Sequence, residues 1–306
     1  MLPRNLASVA LVALATSVAA HAGTVDREFN ESFDVSPGVN LQLIHGDGDV
    51  DIQPWTEDRL EITVRYHLVS RGLGGARDFE VAFDRSGDTI TVEGREIGSN
   101  FFVGGSRQYE YVYTIQAPPY LLLDLRGDDG DVEISDWEAD IDLHSEDGDI
   151  LIEGLRGNLD LELDDGDIDL FDCEVGEAKL RLQDGDVTLR GGSGAWHFTL
   201  DDGDLDLKDL AASVLEARAE DGDITVALAP APSFQADLRS DDGDIDLTLF
   251  PGLSARFSID VDDGDISLRA PDITIESKTR RNTSGSIGGG AGDLRIRTED
   301  GDVTLH

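Results

Sequence analysis

The sequence predicts an all-β fold, a β-solenoid of the single-stranded β-helix type with about twelve coils of 18–21 residues. Three observations carry that reading. The tripeptide Asp-Gly-Asp occurs ten times, with its glycine at 48, 130, 148, 166, 185, 203, 222, 243, 264 and 301. From 130 to 264 the steps are 18 to 21 residues, and the step to 301 is 37, about two units. Two and four residues after every one of these glycines stands Val, Ile or Leu, as in Ile150/Ile152, Ile168/Leu170, Val187/Leu189, Leu205/Leu207 and Ile224/Val226. Five and seven residues before it the chain is again apolar, as in Leu161/Leu159 and Phe198/Trp196. Period-2 alternation broken by a fixed Asp-Gly signals strand, turn, strand.

The first 22 residues read as a signal peptide. Arg4 is the positive start, Leu6 to Ala20 the apolar stretch, and Ala20-His21-Ala22 a small-x-small cleavage site before Gly23. The stretch is short for a membrane span. The remainder, 23–306, reads as one domain without an internal linker. Residues 23–116 form irregular coils, with the first turn at Gly48, a strand pattern at Leu60-Glu61-Ile62-Thr63-Val64, and loops at Gly72 to Arg77 and Gly94 to Gln108. Residues 117–306 hold the regular array, interrupted by a polar loop from Ser277 to Gly292 before a last coil, Leu294 to Leu305.

Asp-Gly between alternating strands is also a hairpin signal. A hairpin meander would need a second tight turn in every unit. The second turns here differ from one another, as at Leu155-Arg156-Gly157-Asn158, Gly191 to Ala195 and Pro230 to Ser233. One repeated turn and one variable turn fit stacked coils better. A single coil buries too few side chains to offset its chain entropy, whereas in a stack every inner ladder gains two neighbours. The expected interior ladder runs through Ile150, Ile168, Val187, Leu205 and Ile224.

Composition excludes whole classes of partner. The chain has 24 basic and 65 acidic residues and a formal charge of −41. Nucleic-acid binding needs a positive face, so that class is excluded, and no later segment reads as a membrane span. Cys173 is alone and can form neither an internal disulfide nor a thiolate metal site.

These repeats, the opening Phe33-Asp34-Val35-Ser36-Pro37-Gly38, and the end, in which Gly288-Gly289-Gly290 leads to Leu294-Arg295-Ile296-Arg297-Thr298-Glu299-Asp300-Gly301-Asp302-Val303-Thr304-Leu305, resemble a bacterial family of exported "putative adhesins", a β-helix domain of unknown function. The resemblance covers nearly the whole chain after the signal segment. It implies export and a non-catalytic β-helix, and it carries over no catalytic residue.

The acidic turns are the candidate site. The position two before the glycine is also acidic in eight of ten copies, so the carboxylates would line one edge of a stack. Hard cations seek such oxygen sets, and one reading makes the turns calcium sites through Asp147, Asp149, Asp165, Asp167, Asp184, Asp186, Asp202 and Asp204. The competing reading is a solvated turn whose aspartates serve the backbone, and it is the stronger, since calcium-binding β-rolls carry their motif at both turns and here one turn has it. The six histidines show no metal spacing, and Gly285 to Gly292 lacks the Lys-Ser/Thr of a phosphate loop. Lys278, Arg280 and Arg281 read as a solvated basic loop, and Phe101-Phe102-Val103 as a cap on the stack.

The expected function is that of a non-enzymatic, exported scaffold, periplasmic or secreted, that binds an envelope or extracellular ligand and uses no cofactor. The alternatives are a calcium-binding acidic solenoid, with divalent cations as partners, and a polysaccharide-active β-helix enzyme. The enzyme would need one unique constellation of acids with Arg, Lys or His, and the acids repeat evenly instead.

Overall fold

In the computed structural model, residues 9–12, 24–74, 78–97, 102–231 and 233–306 are described. Residues 1–22, the expected signal peptide, lie outside them apart from a strand at Val9–Val12. Every regular element among the described residues is a strand. The chain divides into two compact units, Met1–Asp147 and Gly148–His306.

In the second unit the turns stack in parallel. The strand Ile150–Glu153 pairs with Ile168–Asp184, and that one with Val187–Asp202, which in turn pairs with Leu205–Asp221. Register is kept throughout: Ile150 faces Ile168, Ile168 faces Val187, Val187 faces Leu205, and Leu205 faces Ile224. All five are buried. A second ladder carries the chain into each turn, through Leu161, Leu180, Phe198, Ala217 and Leu238. No hairpin forms across Gly166, because its flanking strands each pair with the neighbouring coil.

The order of stacking departs from a simple sequential solenoid at one end. The last turn in the sequence sits between two earlier ones. Val303 pairs with Ile245 on one side and Ile266 on the other, and Leu294 lies between Ala236 and Phe257. The intervening segment makes this insertion possible. Ala255–Asp263 pairs antiparallel with Asn282–Ile287, which pairs antiparallel with Ile273–Lys278. The expected polar loop is therefore largely strand. Thr283, Gly285 and Ile287 alternate inward, and the Phe257 ring lies over Gly285, where a Cβ would meet it at 2.9 Å.

The first unit mixes parallel and antiparallel pairing, so coil counting stops being meaningful there. Thr24–Asp34, Arg59–Gly74 and Phe102–Ala117 form an antiparallel sheet in which Arg59–Gly74 is central. Asp78–Ser86 and Thr89–Ile97 form a hairpin around Gly87. Parallel pairs complete the unit: Asn40–Gly46 lies between Thr89–Ile97 and Leu122–Gly127, and Asp49–Pro54 between Phe102–Ala117 and Val132–Ser135. Of the two expected loops, residues 72–74, 94–97 and 102–108 are strand, and 75–77 and 98–101 lie outside the described residues. Tyr66, Phe79 and Tyr111 pack between the layers with ring centroids 5.0–5.3 Å apart.

Candidate functional site

The acidic turn is built by two local constraints. Its glycine has φ between 112° and 156° at most copies, a region that L side chains avoid. Stacking then removes the space a side chain would need. A Cβ on Gly185 would lie 2.1 Å from the Gly166 carbonyl oxygen.

The aspartate after the glycine completes the ladder. Asp167 N–H donates to Asp149 Oδ1 at 3.0 Å, Asp186 N–H to Asp167 Oδ1 at 2.9 Å, and Asp204 N–H to Asp186 Oδ1 at 2.8 Å. The same bond recurs at Asp223, Asp244, Asp302 and Asp265. Backbone bonds bracket it, for example Gly166 N–H to Asp184 O at 3.0 Å and Ile168 N–H to Asp186 O at 2.9 Å. One carboxylate per turn thus acts as a backbone acceptor, a charge-assisted bond of the stronger kind.

The aspartate before the glycine stays free of that duty. Asp165, Asp184 and Asp202 are in register and exposed. Asp147 closes the first unit and is exposed as well, its N–H bonded to Asp128 O at 2.8 Å. The eight aspartates named from the sequence therefore fall into two files with different roles. Among the described residues no group of three or more His, Cys, Asp or Glu is arranged to hold a metal ion.

Two further positions of the coil are specified, and sequence reasoning passed over both. Six residues after the turn glycine the backbone is left-handed, at Asp136, Gly154, Asp172, Gly191 and Asp209, with φ from 49° to 71°. The signal was present as an alternation of Asp and Gly at that offset. Three residues before the glycine an interior file holds four of the five buried polar residues among those described, all but Thr283. Ser240 donates to Gly222 O and Thr298 to Gly243 O, each at 3.1 Å. His45 occupies this file in the first unit at 2% exposure. Its Nδ1 lies 2.8 Å from Gly48 O, and Nε2 is buried without a partner. Burial pushes its pKa down to about 4, and the Gly48 bond and the Asp128 charge oppose this only in part. A side chain on Gly127 would collide with this imidazole at 2.3 Å.

The other candidates resolve into ordinary roles. Trp137 and Trp196 are fully buried, and Trp55 lies beneath the Arg59 guanidinium. Arg281 lies 3.8 Å from Asp263. His197, Glu216, Arg218, Asp237 and Arg239 line an open depression of about 280 Å³ on one sheet face. His197 Nδ1 is 3.1 Å from Glu216, and Arg239 and Asp237 neutralise each other in an ion pair at 2.8 Å.

The Toastrack DUF4097 family model matches residues 40–306. The chain belongs to the Toastrack DUF4097 family. The chain is similar to solved structures that include a "putative adhesin" from Bacteroides fragilis, 13% identical, with TM-score 0.45, covering 91% of this chain and 97% of that one. A "putative cell adhesion protein" from Clostridium sporogenes is 11% identical, with TM-score 0.25, covering 91% and 98%. A "putative lipid binding protein" from Parabacteroides distasonis is 10% identical, with TM-score 0.42, covering 91% and 97%. No curated protein matches. The whole Asp-Gly-Asp repeat, from Gly48 to Gly301, lies within the matched span.

Proposed function

We propose that this Toastrack protein is an exported, non-enzymatic interaction scaffold of the cell envelope, periplasmic or secreted, whose second unit is a stack of parallel turns that presents a row of acidic residues. The observation that carries the reading is the division of labour in the turn. One aspartate per coil holds the stack together, and the other is left exposed and in register with its neighbours. A surface that repeats every coil suits an extended or multivalent ligand, and it lacks the single convergent cluster on which catalysis depends. Removal of residues 1–22 is part of the proposal, as is the absence of a cofactor.

The test has two arms. Fractionation of cells expressing the full chain, with N-terminal sequencing of the product, should find it outside the cytoplasm beginning at Gly23. A screen of that product against glycans, envelope proteins and divalent cations should find a ligand whose binding falls when Asp165, Asp184 and Asp202 are changed together to Asn. Cytoplasmic retention of an unprocessed chain would overturn the export reading. Binding unaffected by the triple change would remove the acidic row from the site.

A further inference from the structure

In the second unit, the strands that carry the chain into each turn expose a file of their own, four residues before the turn glycine. Backbone register runs it through Arg181, Thr199, Arg218, Arg239, Arg297 and Asp260, all exposed. Arg218, Arg239 and Arg297 therefore stand on three successive coils, about 4.8 Å apart. The out-of-order stacking of the last turn makes this run. In sequence order Asp260 would follow Arg239, but the inserted coil puts Arg297 there instead and sets Arg295 beside Asp237. The strands that leave each turn carry nothing comparable. Their outward file, three residues after the glycine, holds Asp169, Thr188, Asp206, Thr225 and Asp246 and no basic residue in this unit.

Such a run opposes folding of the free protein, because like charges directly opposite on neighbouring strands repel. A chain with 65 acidic and 24 basic residues has acids enough to neutralise every arginine. Here it does not. The nearest acids are engaged elsewhere: Arg239 Nε donates to Asp237 Oδ1 at 2.9 Å, Glu216 lies 3.1 Å from His197, and Asp293 pairs with Arg256 at 3.1 Å. Arg218 and Arg295 form no ion pair and no side-chain hydrogen bond among the described residues. Arg218 also lines the depression of about 280 Å³, together with Thr199, Glu216 and Asp237. An uncompensated cation thus stands in a concave place, with hydrogen-bond acceptors around it.

From this arginine file we infer that the outer face of the second unit binds an anionic polysaccharide lying along the stack. Guanidinium forks suit carboxylates, so Arg218, Arg239 and Arg297 take the acid groups, and Thr199, Glu216 and Asp237 accept from sugar hydroxyls. Width selects this occupant. The acidic positions two before each glycine, Glu220, Asp241 and Glu299, lie two residues from the file, about 7 Å along the strand. That is inside the Debye length of about 8 Å at physiological salt. A nucleic-acid duplex, an anionic bilayer or the acidic row of a second copy is broad enough to overlap those acids and be repelled. A single glycan chain is thin and sparsely charged, and it meets the arginines alone. An extended acidic peptide is as thin, but on a sheet face its backbone groups would find only water. The strip is separate from the acidic row proposed above and does not rest on it.

Fluorescence anisotropy of labelled oligogalacturonate with the purified protein tests it, beside a labelled dextran oligomer, a DNA duplex and phosphatidylglycerol vesicles. Binding of the galacturonate is expected, roughly tenfold tighter than that of dextran, and lost in about 0.5 M salt. Arg218→Gln breaks no ion pair and should weaken binding about threefold, with an unchanged or higher melting temperature. Arg218→Gln with Arg239→Gln and Arg297→Gln should weaken it about tenfold or more. Thr199→Arg joins Arg181 to the file and should strengthen binding about twofold, an effect that misfolding cannot imitate. Changing Asp165, Asp184 and Asp202 together to Asn should not weaken it; a loss there would move the site to the acidic row and overturn the proposal. Absence of galacturonate binding at low salt would overturn it, as would the triple arginine variant binding like wild type. Tighter binding of the duplex or the vesicles than of the galacturonate would overturn the choice of a polysaccharide.

Discussion

At the residue scale, the turn glycine and the aspartate that follows it are doing different jobs, and substitutions should separate them. Gly185→Ala puts a Cβ 2.1 Å from the Gly166 carbonyl and forces a left-handed φ of 134° on an L residue. The conformational part alone costs about 1–2 kcal/mol, and the backbone clash adds to it, so a large drop in melting temperature is expected. Asp186→Ala removes the acceptor for the Asp204 N–H and should cost about 1 kcal/mol, while Asp186→Asn keeps an oxygen there and should cost less. Equal melts for the two Asp186 variants would mean the side-chain bond contributes nothing. His45 gives a pH signature. Its folded pKa, about 4, lies below the ordinary histidine value of 6.5, so the unfolded chain takes up a proton that the folded chain refuses. Its contribution is complete above 6.5 and is lost as pH falls from 6.5 to 4, by about 3 kcal/mol in total at ~1.36 kcal/mol per unit. Denaturant titrations across that window should show the loss, and His45→Gln should flatten it. A window unchanged in the variant would place the titrating group elsewhere.

At the scale of the strand, inside and outside were legible from the alternation alone. Leu161 is fully buried, and its neighbour Asp160 pairs with Arg181 at 3.2 Å on the solvent side, both side chains about half exposed. Leu161→Asp should therefore prevent folding or cost several kcal/mol, since an unpaired carboxylate would enter the ladder. Asp160→Asn should change stability by less than about 1 kcal/mol, the usual worth of an exposed ion pair. Circular dichroism melts of the pair would expose a wrong assignment if both variants behaved alike. The Asp and Gly at Asp136, Gly154, Asp172, Gly191 and Asp209 could also have been found, because left-handed backbone favours those residues. The apparent irregularity of the second turn hid them. Pairing order was not legible. Nothing in Leu294 to Leu305 marks it for insertion between the turns at Gly243 and Gly264, because every coil offers the same apolar ladder to its neighbours. The strand at Asn282–Ile287 was missed for a related reason, since Ser, Thr and Gly read as loop until Phe257 covers Gly285.

At the scale of the whole molecule, a charge of −41 on stacked carboxylates sets the response to salt. Like charges about 5 Å apart repel by roughly 1 kcal/mol in water, and screening relieves this. Melting temperature should therefore rise with sodium chloride. With one carboxylate per turn committed to a backbone N–H, calcium at matched ionic strength should add little beyond screening; a clear excess over sodium would support the calcium reading of Asp147, Asp149, Asp165, Asp167, Asp184, Asp186, Asp202 and Asp204. The central claim is that successive turns stack in parallel, each aspartate after a turn glycine accepting from the next coil. Couplings across hydrogen bonds in the NMR spectrum of the deuterated chain test it most directly. The account requires a correlation from the Asp186 amide to the side-chain carboxyl carbon of Asp167, and from the Ile168 amide to the backbone carbonyl of Asp186. Correlations joining the two strands on either side of Gly166 to each other, as in a hairpin, would contradict it.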